Sequence, residues 1–132
     1  MTNRGEIRNK TLSTKIKTWG SLRFGNITPT DIDCFMEFDN KLFIIVEGKH
    51  DGAEVPRGQY LALVRMCKAI SDSGKNCMLI IADNFITDDG MIDTGKSKVR
   101  EIFWNGNKKE IKKINNVRQA IDIALEKSLN RH

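Results

Sequence analysis

Four ionisable residues stand where an apolar sheet should not hold them. In "ITPTDIDCFMEFDNKLFIIVEGKH", residues 27–50, Asp31 and Asp33 open one apolar strand pattern, and Glu47 and Lys49 close the next. Carboxylates gathered at one point repel and raise each other's pKa unless a cation lies between them. Lys49 supplies one positive charge. A hard divalent ion such as Mg2+ or Mn2+ suits Asp and Glu oxygens and would supply the rest. A strand-end salt bridge is the plain alternative, but these acids terminate strands that otherwise reject polar residues.

Whether the four side chains meet depends on register, because strand residues alternate between faces. The even positions, Ile32, Cys34, Met36 and Phe38, then Leu42, Ile44, Val46 and Gly48, are all apolar or glycine. The odd positions carry Asp31, Asp33 and Glu37, then Glu47 and Lys49. Directly opposed residues of an antiparallel pair share a face. An odd-length turn at Asp39-Asn40-Lys41 pairs Asp33 with Glu47 and Asp31 with Lys49, whereas a two-residue turn scatters the charges. Burial selects the odd turn, since a one-residue slip exposes the whole apolar set.

The surrounding elements follow from periodicity and punctuation. Residues from about 4 to 19 read as a helix with Ile7, Leu12, Ile16 and Trp19 as a loose stripe, broken by Gly20 and Gly25. Strands are expected at 32–38 and 42–48. "HDGAEVPRG" is a loop, and Pro56 starts a helix that runs to Gly74. "NCMLIIAD" reads as a strand buried on both faces, and "NFITDDGMIDTGK" as a polar loop. "VREIFWNGNKKEIKKI" reads as a hairpin turning at Asn105-Gly106. Asn115 or Asn116 caps a last helix with Val117, Ala120, Ile121, Ala124, Leu125 and Leu129 on its apolar face. This order predicts an α/β protein, helices sandwiching a mixed sheet.

Composition narrows the class. A chain of 132 residues makes one domain, residues 1–132, and its 39% hydrophobic and 30% charged content suits a soluble globular protein. The longest apolar run, Leu42 to Val46, is too short to cross a bilayer, and no signal-peptide core opens the chain. An intracellular location is therefore expected. Cys34, Cys67 and Cys77 form no CxxC pair and read as small buried hydrophobes in a reducing compartment. The net charge of +5 is unevenly spread. Arg4, Arg8, Lys10, Lys15, Lys17 and Arg23 crowd the first 25 residues against Glu6, and Lys108, Lys109, Lys112 and Lys113 form a second basic run. Acids gather at 31–39 and 83–93. A basic frame around acidic spots suits a metal-using enzyme with a phosphate-rich substrate.

"PTDID", then "EGK", then a helix opening "GQYLAL" resembles the PD-(D/E)XK nuclease superfamily over roughly residues 5–82. Its small phage-type and Holliday-junction-resolvase-like members are the most similar. The resemblance implies a restriction-endonuclease-like α-β-β-β-α-β core with a mixed central sheet, extended here by the C-terminal hairpin and helix. The family aspartate falls on Asp33 and the E-x-K on Glu47, Gly48 and Lys49. Asp31 stands where many members carry an additional acid, Gln59 where several carry a helix-leading Gln, and Glu6 is the position for a first-helix Glu. Pro29 precedes Asp31 by two residues, so "PD" is not literal, and Gly48 replaces the usual apolar middle residue of E-x-K.

The activity so implied is a divalent-metal-dependent deoxyribonuclease, an endonuclease selective for DNA structure. Asp33, Glu47 and the Gly48 carbonyl would hold Mg2+ or Mn2+, with Asp31 steering them or holding a second ion. Lys49 would orient the attacking water and stabilise developing charge. Gln59 would position water or phosphate, and Lys10 and Arg57 would contact the DNA backbone. A homodimer in which each protomer cuts one strand is common among such nucleases, and a bacterial or phage-infected cytoplasm is the implied setting. His50 falls on the face opposite Lys49. Trp19 and Trp104 read as packing residues, and "DDGMID" lacks calcium-loop spacing. The alternatives are a non-catalytic nucleic-acid-binding domain or a phage regulatory or inhibitor protein on the same fold.

Overall fold

The structure, a computed structural model, describes residues 18–129. The chain divides into two compact units, residues 1–30 and 31–132. In the first, a 3-10 turn at Gly20–Leu22 precedes a tight reversal in which Phe24 and Ile27 exchange backbone hydrogen bonds of 2.8 and 3.0 Å. The helix expected over 4–19 falls outside the described residues except for Thr18 and Trp19, which are not helical. Glu6 and Lys10 lie outside them too.

The second unit is an α/β arrangement of strands β1 (Cys34–Phe38), β2 (Leu42–Lys49), β3 (Asn76–Asp83), β4 (Lys98–Trp104) and β5 (Asn107–Lys109), with helices α1 (Arg57–Asp72) and α2 (Val117–Leu129). The strands form one open, mixed five-stranded sheet in chain order. Only β2 and β3 are parallel, because α1 provides the crossover a parallel pair requires. Among the described residues two strands, not three, precede α1.

The expected β1–β2 register is realised. Phe38 pairs with Leu42 and Cys34 with Val46, around the turn Asp39-Asn40-Lys41. Asp39 and Asn40 take positive φ values of 52° and 57°, a conformation that Asp and Asn tolerate better than most residues. Lys41 closes the turn by donating its N–H to the Phe38 carbonyl at 2.9 Å.

Parity then sorts the core into two. Leu42, Ile44 and Val46 of β2 pack with Met78, Ile80 and Ala82 of β3 beneath α2, through Val117, Ala120, Ile121 and Ala124. Ile45 packs with Cys77, Leu79, Ile81 and Phe103 beneath α1, through Leu63 and Cys67. Each fully buried aliphatic side chain is worth roughly 1.5–3 kcal/mol, so a slip of β2, which would also turn Glu47 into the apolar α2 side, is strongly disfavoured.

Both helices are bounded as their sequences suggest. Pro56 precedes α1, which ends before Ser73 and Gly74, the latter at φ 95°. Asn116 caps α2: its Oδ1 accepts the Gln119 N–H at 2.9 Å, while Gln119 Oε1 accepts the N–H groups of Asn115 and Asn116 at 2.7 and 3.3 Å. This reciprocal box fixes the choice between the two asparagines. The Asn105-Gly106 turn has φ values of 54° and 85°, both positive as a type I′ turn demands.

Three details differ from expectation. β1 begins at Cys34 rather than Ile32. β5 stops at Lys109 because Ile111 and Ile114 leave the hairpin to cover the α2-side core. The segment 84–97 is more ordered than a polar loop: Ile86 bridges Ile92, and a 3-10 turn follows at Thr94–Lys96.

Candidate active site

The C-terminal ends of β2 and β3 and the N-terminal turn of α1 converge on the α1 side of the sheet. Odd parity places Glu47 and Lys49 of β2 there. Parallel pairing of Glu47 with Ile81 and of Lys49 with Asp83 puts Asp83 on the same face. The β1 ladder stops at Cys34, and past that point the Gly48 N–H donates to Asp33 Oδ2 at 2.9 Å. A side chain thus takes over from the backbone, which is why the strand is shorter than its apolar pattern.

Glu47 is the central residue, 3% exposed. Its Oε1 accepts the Gln59 side-chain amide at 3.1 Å and ion-pairs with Lys49 Nζ at 3.4 Å. Its Oε2 is buried and no donor group reaches it, while a carboxyl hydrogen bond with Asp33 adds to the upward push on its pKa. Burial, and then the neighbouring charge of Asp33, push the Glu47 carboxyl above its ordinary pKa, against the opposing pull of Lys49. An ionised carboxylate kept this dry costs several kcal/mol unless compensated.

The same Gln59 amide reaches the backbone carbonyl of Asp31 at 3.3 Å. One side chain therefore ties the start of α1 to β2 and to the segment ahead of β1. The β1–β2 ladder stops at Cys34, short of the expected Asp31–Lys49 pair; the Asp31 carbonyl accepts from Gln59, and Lys49 ion-pairs with Glu47. Among the described residues no three His, Cys, Asp or Glu side chains gather into a metal-binding group. The carboxylates that interact at this point are Asp33 and Glu47.

Gly48 has a local reason to be glycine. A Cβ there would collide with the side-chain Oδ1 of Asn84, and the Asn84 N–H donates to the Lys49 carbonyl at 2.7 Å. Asn84 thus fills the space that an apolar E-x-K middle residue would occupy. Arg57 is the exposed first residue of α1, two positions ahead of Gln59. His50 is exposed and accepts the Ala53 N–H through its carbonyl at 3.0 Å.

Two participants were not singled out from sequence. Asp83 ends β3 and ion-pairs with Arg100, whose guanidinium also donates to the Ala53 carbonyl. Odd parity in "NCMLIIAD" would have put Asp83 beside Lys49 once β3 was known to run parallel to β2. Arg100 is concealed by a β-bulge: Ile81 pairs with Glu101 and Ala82 with Val99, which leaves Arg100 between them.

Comparison with protein-family models, with curated proteins and with solved structures gives no match to this chain.

Proposed function

We propose that the protein is a divalent-metal-dependent deoxyribonuclease with a PD-(D/E)XK-type site. The observation that carries this reading is Glu47: a buried carboxylate with one oxygen that no donor reaches, interacting with Asp33 and ion-paired to Lys49. That is the demand of a site built to receive a cation, and Gln59 and Lys49 on Oε1 leave Oε2 for it.

The residues fit a hard ion of the Mg2+ class, which commonly takes one or two carboxylates and completes its shell with water and substrate phosphate oxygens. Asp33, Glu47 and the Gly48 carbonyl would hold it. When bound, it supplies polarisation of the scissile phosphate and a lower pKa for coordinated water. The protein's own groups do the rest. Gln59 and Lys49 fix the rotamer of Glu47. The Lys49 ammonium, 22% exposed, would stabilise charge developing on a phosphate. Arg57, exposed at the start of α1, would contact the DNA backbone. The mixed α/β sheet, with E-x-K on the strand leading into the Gln-bearing helix, accords with this reading.

The test is cleavage of linear duplex, nicked, single-stranded and branched DNA in Mg2+ or Mn2+ by wild type, Glu47→Ala and Lys49→Ala. Wild type should cut at least one substrate and both variants should lose on the order of 10²–10³-fold. If all three are equally inert on every substrate, the enzyme reading is overturned. DNA binding that persists in the inert variants would then identify a non-catalytic binding domain.

A further inference from the structure

Lys49 has two carboxylates within its neighbourhood. Glu47 precedes it by two residues on the same face of β2. Asp83 is its register partner on β3, one strand spacing away, about 4.8 Å. A four-carbon ammonium arm can serve either acid. It ion-pairs with Glu47. Asp83 is instead engaged by Arg100.

The engagement is built with some care. The β-bulge between Ile81 and Ala82 takes Arg100 out of the β3–β4 ladder, and bulges are a recurrent means of re-aiming a side chain. The guanidinium then spans two acceptors, Asp83 through Nη2 and the Ala53 carbonyl through Nη1. A planar fork can do this in one fixed geometry; an ammonium cannot. Asp83 and Arg100 are only 23% and 27% exposed, so the pair is sheltered from the screening that weakens surface ion pairs. Ala53 lies in the 50–56 connection between Lys49 and α1, so the same contact braces the chain leading to Gln59.

We propose that Arg100 is a positioning residue that keeps Asp83 from capturing Lys49 and so reserves the ammonium for Glu47. Its activity readout rests on the nuclease reading; its geometric readout does not. With Arg100→Met, the Asp83 carboxylate is left beside Lys49 without its partner and draws the ammonium off Glu47. Adding Asp83→Asn removes the competing charge and returns it.

The decisive comparison uses the full chain as wild type, Arg100→Met, and Arg100→Met with Asp83→Asn, each checked for an unchanged circular-dichroism spectrum. In the cleavage assay, Arg100→Met should lower kcat roughly 10–100-fold with little change in KM. The double variant should recover most of that loss, whereas a merely structural role for Arg100 predicts a double variant no better than the single. Independently of activity, the 15N resonance of the Lys49 ammonium should move in Arg100→Met and return in the double variant. A resonance unmoved in the single variant, or a double variant that fails to return it, overturns the proposal. Should wild type cleave no DNA at all, the nuclease reading falls while the resonance still decides the role of Arg100.

Discussion

The Asp33 carboxylate accepts the backbone N–H of Gly48 at 2.9 Å, so a side chain closes the end of the β1–β2 pair where the ladder has stopped. This contact fixes Asp33 next to the residue that follows Glu47. It also makes the acid both a structural clasp and a candidate ligand, and mutations here should be read with both roles in mind.

Glu47→Gln separates stability from chemistry. Folded Glu47 keeps its proton to higher pH than the unfolded chain, because burial and Asp33 raise its pKa above the ordinary 4.5. The folded state therefore binds more protons in the interval above 4.5, and stability falls as pH rises through that interval. The isosteric amide has no charge to bury. Glu47→Gln should be more stable than wild type at pH 7 by on the order of 1 kcal/mol, seen as a higher unfolding temperature, and the gain should vanish in acid. Thermal unfolding followed at pH 4, 5.5 and 7 measures this; a pH-independent difference contradicts it.

Metal should stabilise the fold without any substrate. If Asp33 and Glu47 are ligands, Mg2+ or Mn2+ at 100 times Kd should add about 2.7 kcal/mol to wild type by mass action. Asp33→Asn and Glu47→Gln should show little of this increment. Differential scanning fluorimetry across a metal titration, with Ca2+ alongside as a control cation, gives the answer.

Gln59→Leu removes the amide that joins Glu47 to the Asp31 carbonyl. Loss of those hydrogen bonds should cost about 1 kcal/mol in denaturant unfolding. Cleavage should fall further than that suggests, roughly 10–100-fold, since Glu47 then loses an orienting partner. Gln59→Glu, which can no longer donate to Glu47, should be no better. An activity equal to wild type in either variant would remove Gln59 from the site.

Gly48 and Asn84 should behave as a coupled pair. Gly48→Ala forces its new methyl against the Asn84 side chain, whereas Asn84→Gly in the same protein relieves the collision. A double-mutant cycle on unfolding free energy should give a coupling of roughly 0.5–3 kcal/mol, with the double variant more stable than additivity allows. Additive costs would show that the Asn84 side chain simply swings away.

Much of the site was legible because parity is a strict rule. The even apolar set from Ile32 to Gly48 admits one register, and Leu42 to Val46 with Cys34 to Phe38 adopt it. Asn105-Gly106 and Pro56 were likewise readable, since each has a local stereochemical reason, whereas the choice between Asn115 and Asn116 as the α2 cap needed the Gln119 contacts. What escaped was non-local. Asp83 acquires meaning only when β3 lies parallel to β2, and Arg100 only when a bulge lifts it out of the ladder. The truncation of β1 also escaped, because the apolar alternation of Ile32 and Cys34 cannot announce that Asp33 will take a backbone donor. The engagement of the Asp31 carbonyl by Gln59 was equally out of reach, since it joins residues 28 positions apart.

The order of strands leaves the charged cluster unevenly protected. Glu47 and Lys49 ride on β2, an interior strand flanked on both sides, while Asp33 hangs from the start of the edge strand. Edge segments open far more often than interior ones, so gentle warming or dilute urea should detach the aspartate while the glutamate and lysine stay fixed in a folded body. On the nuclease reading proposed above, loss of cleavage would then precede collapse of the sheet, in a protein whose circular dichroism still looks native.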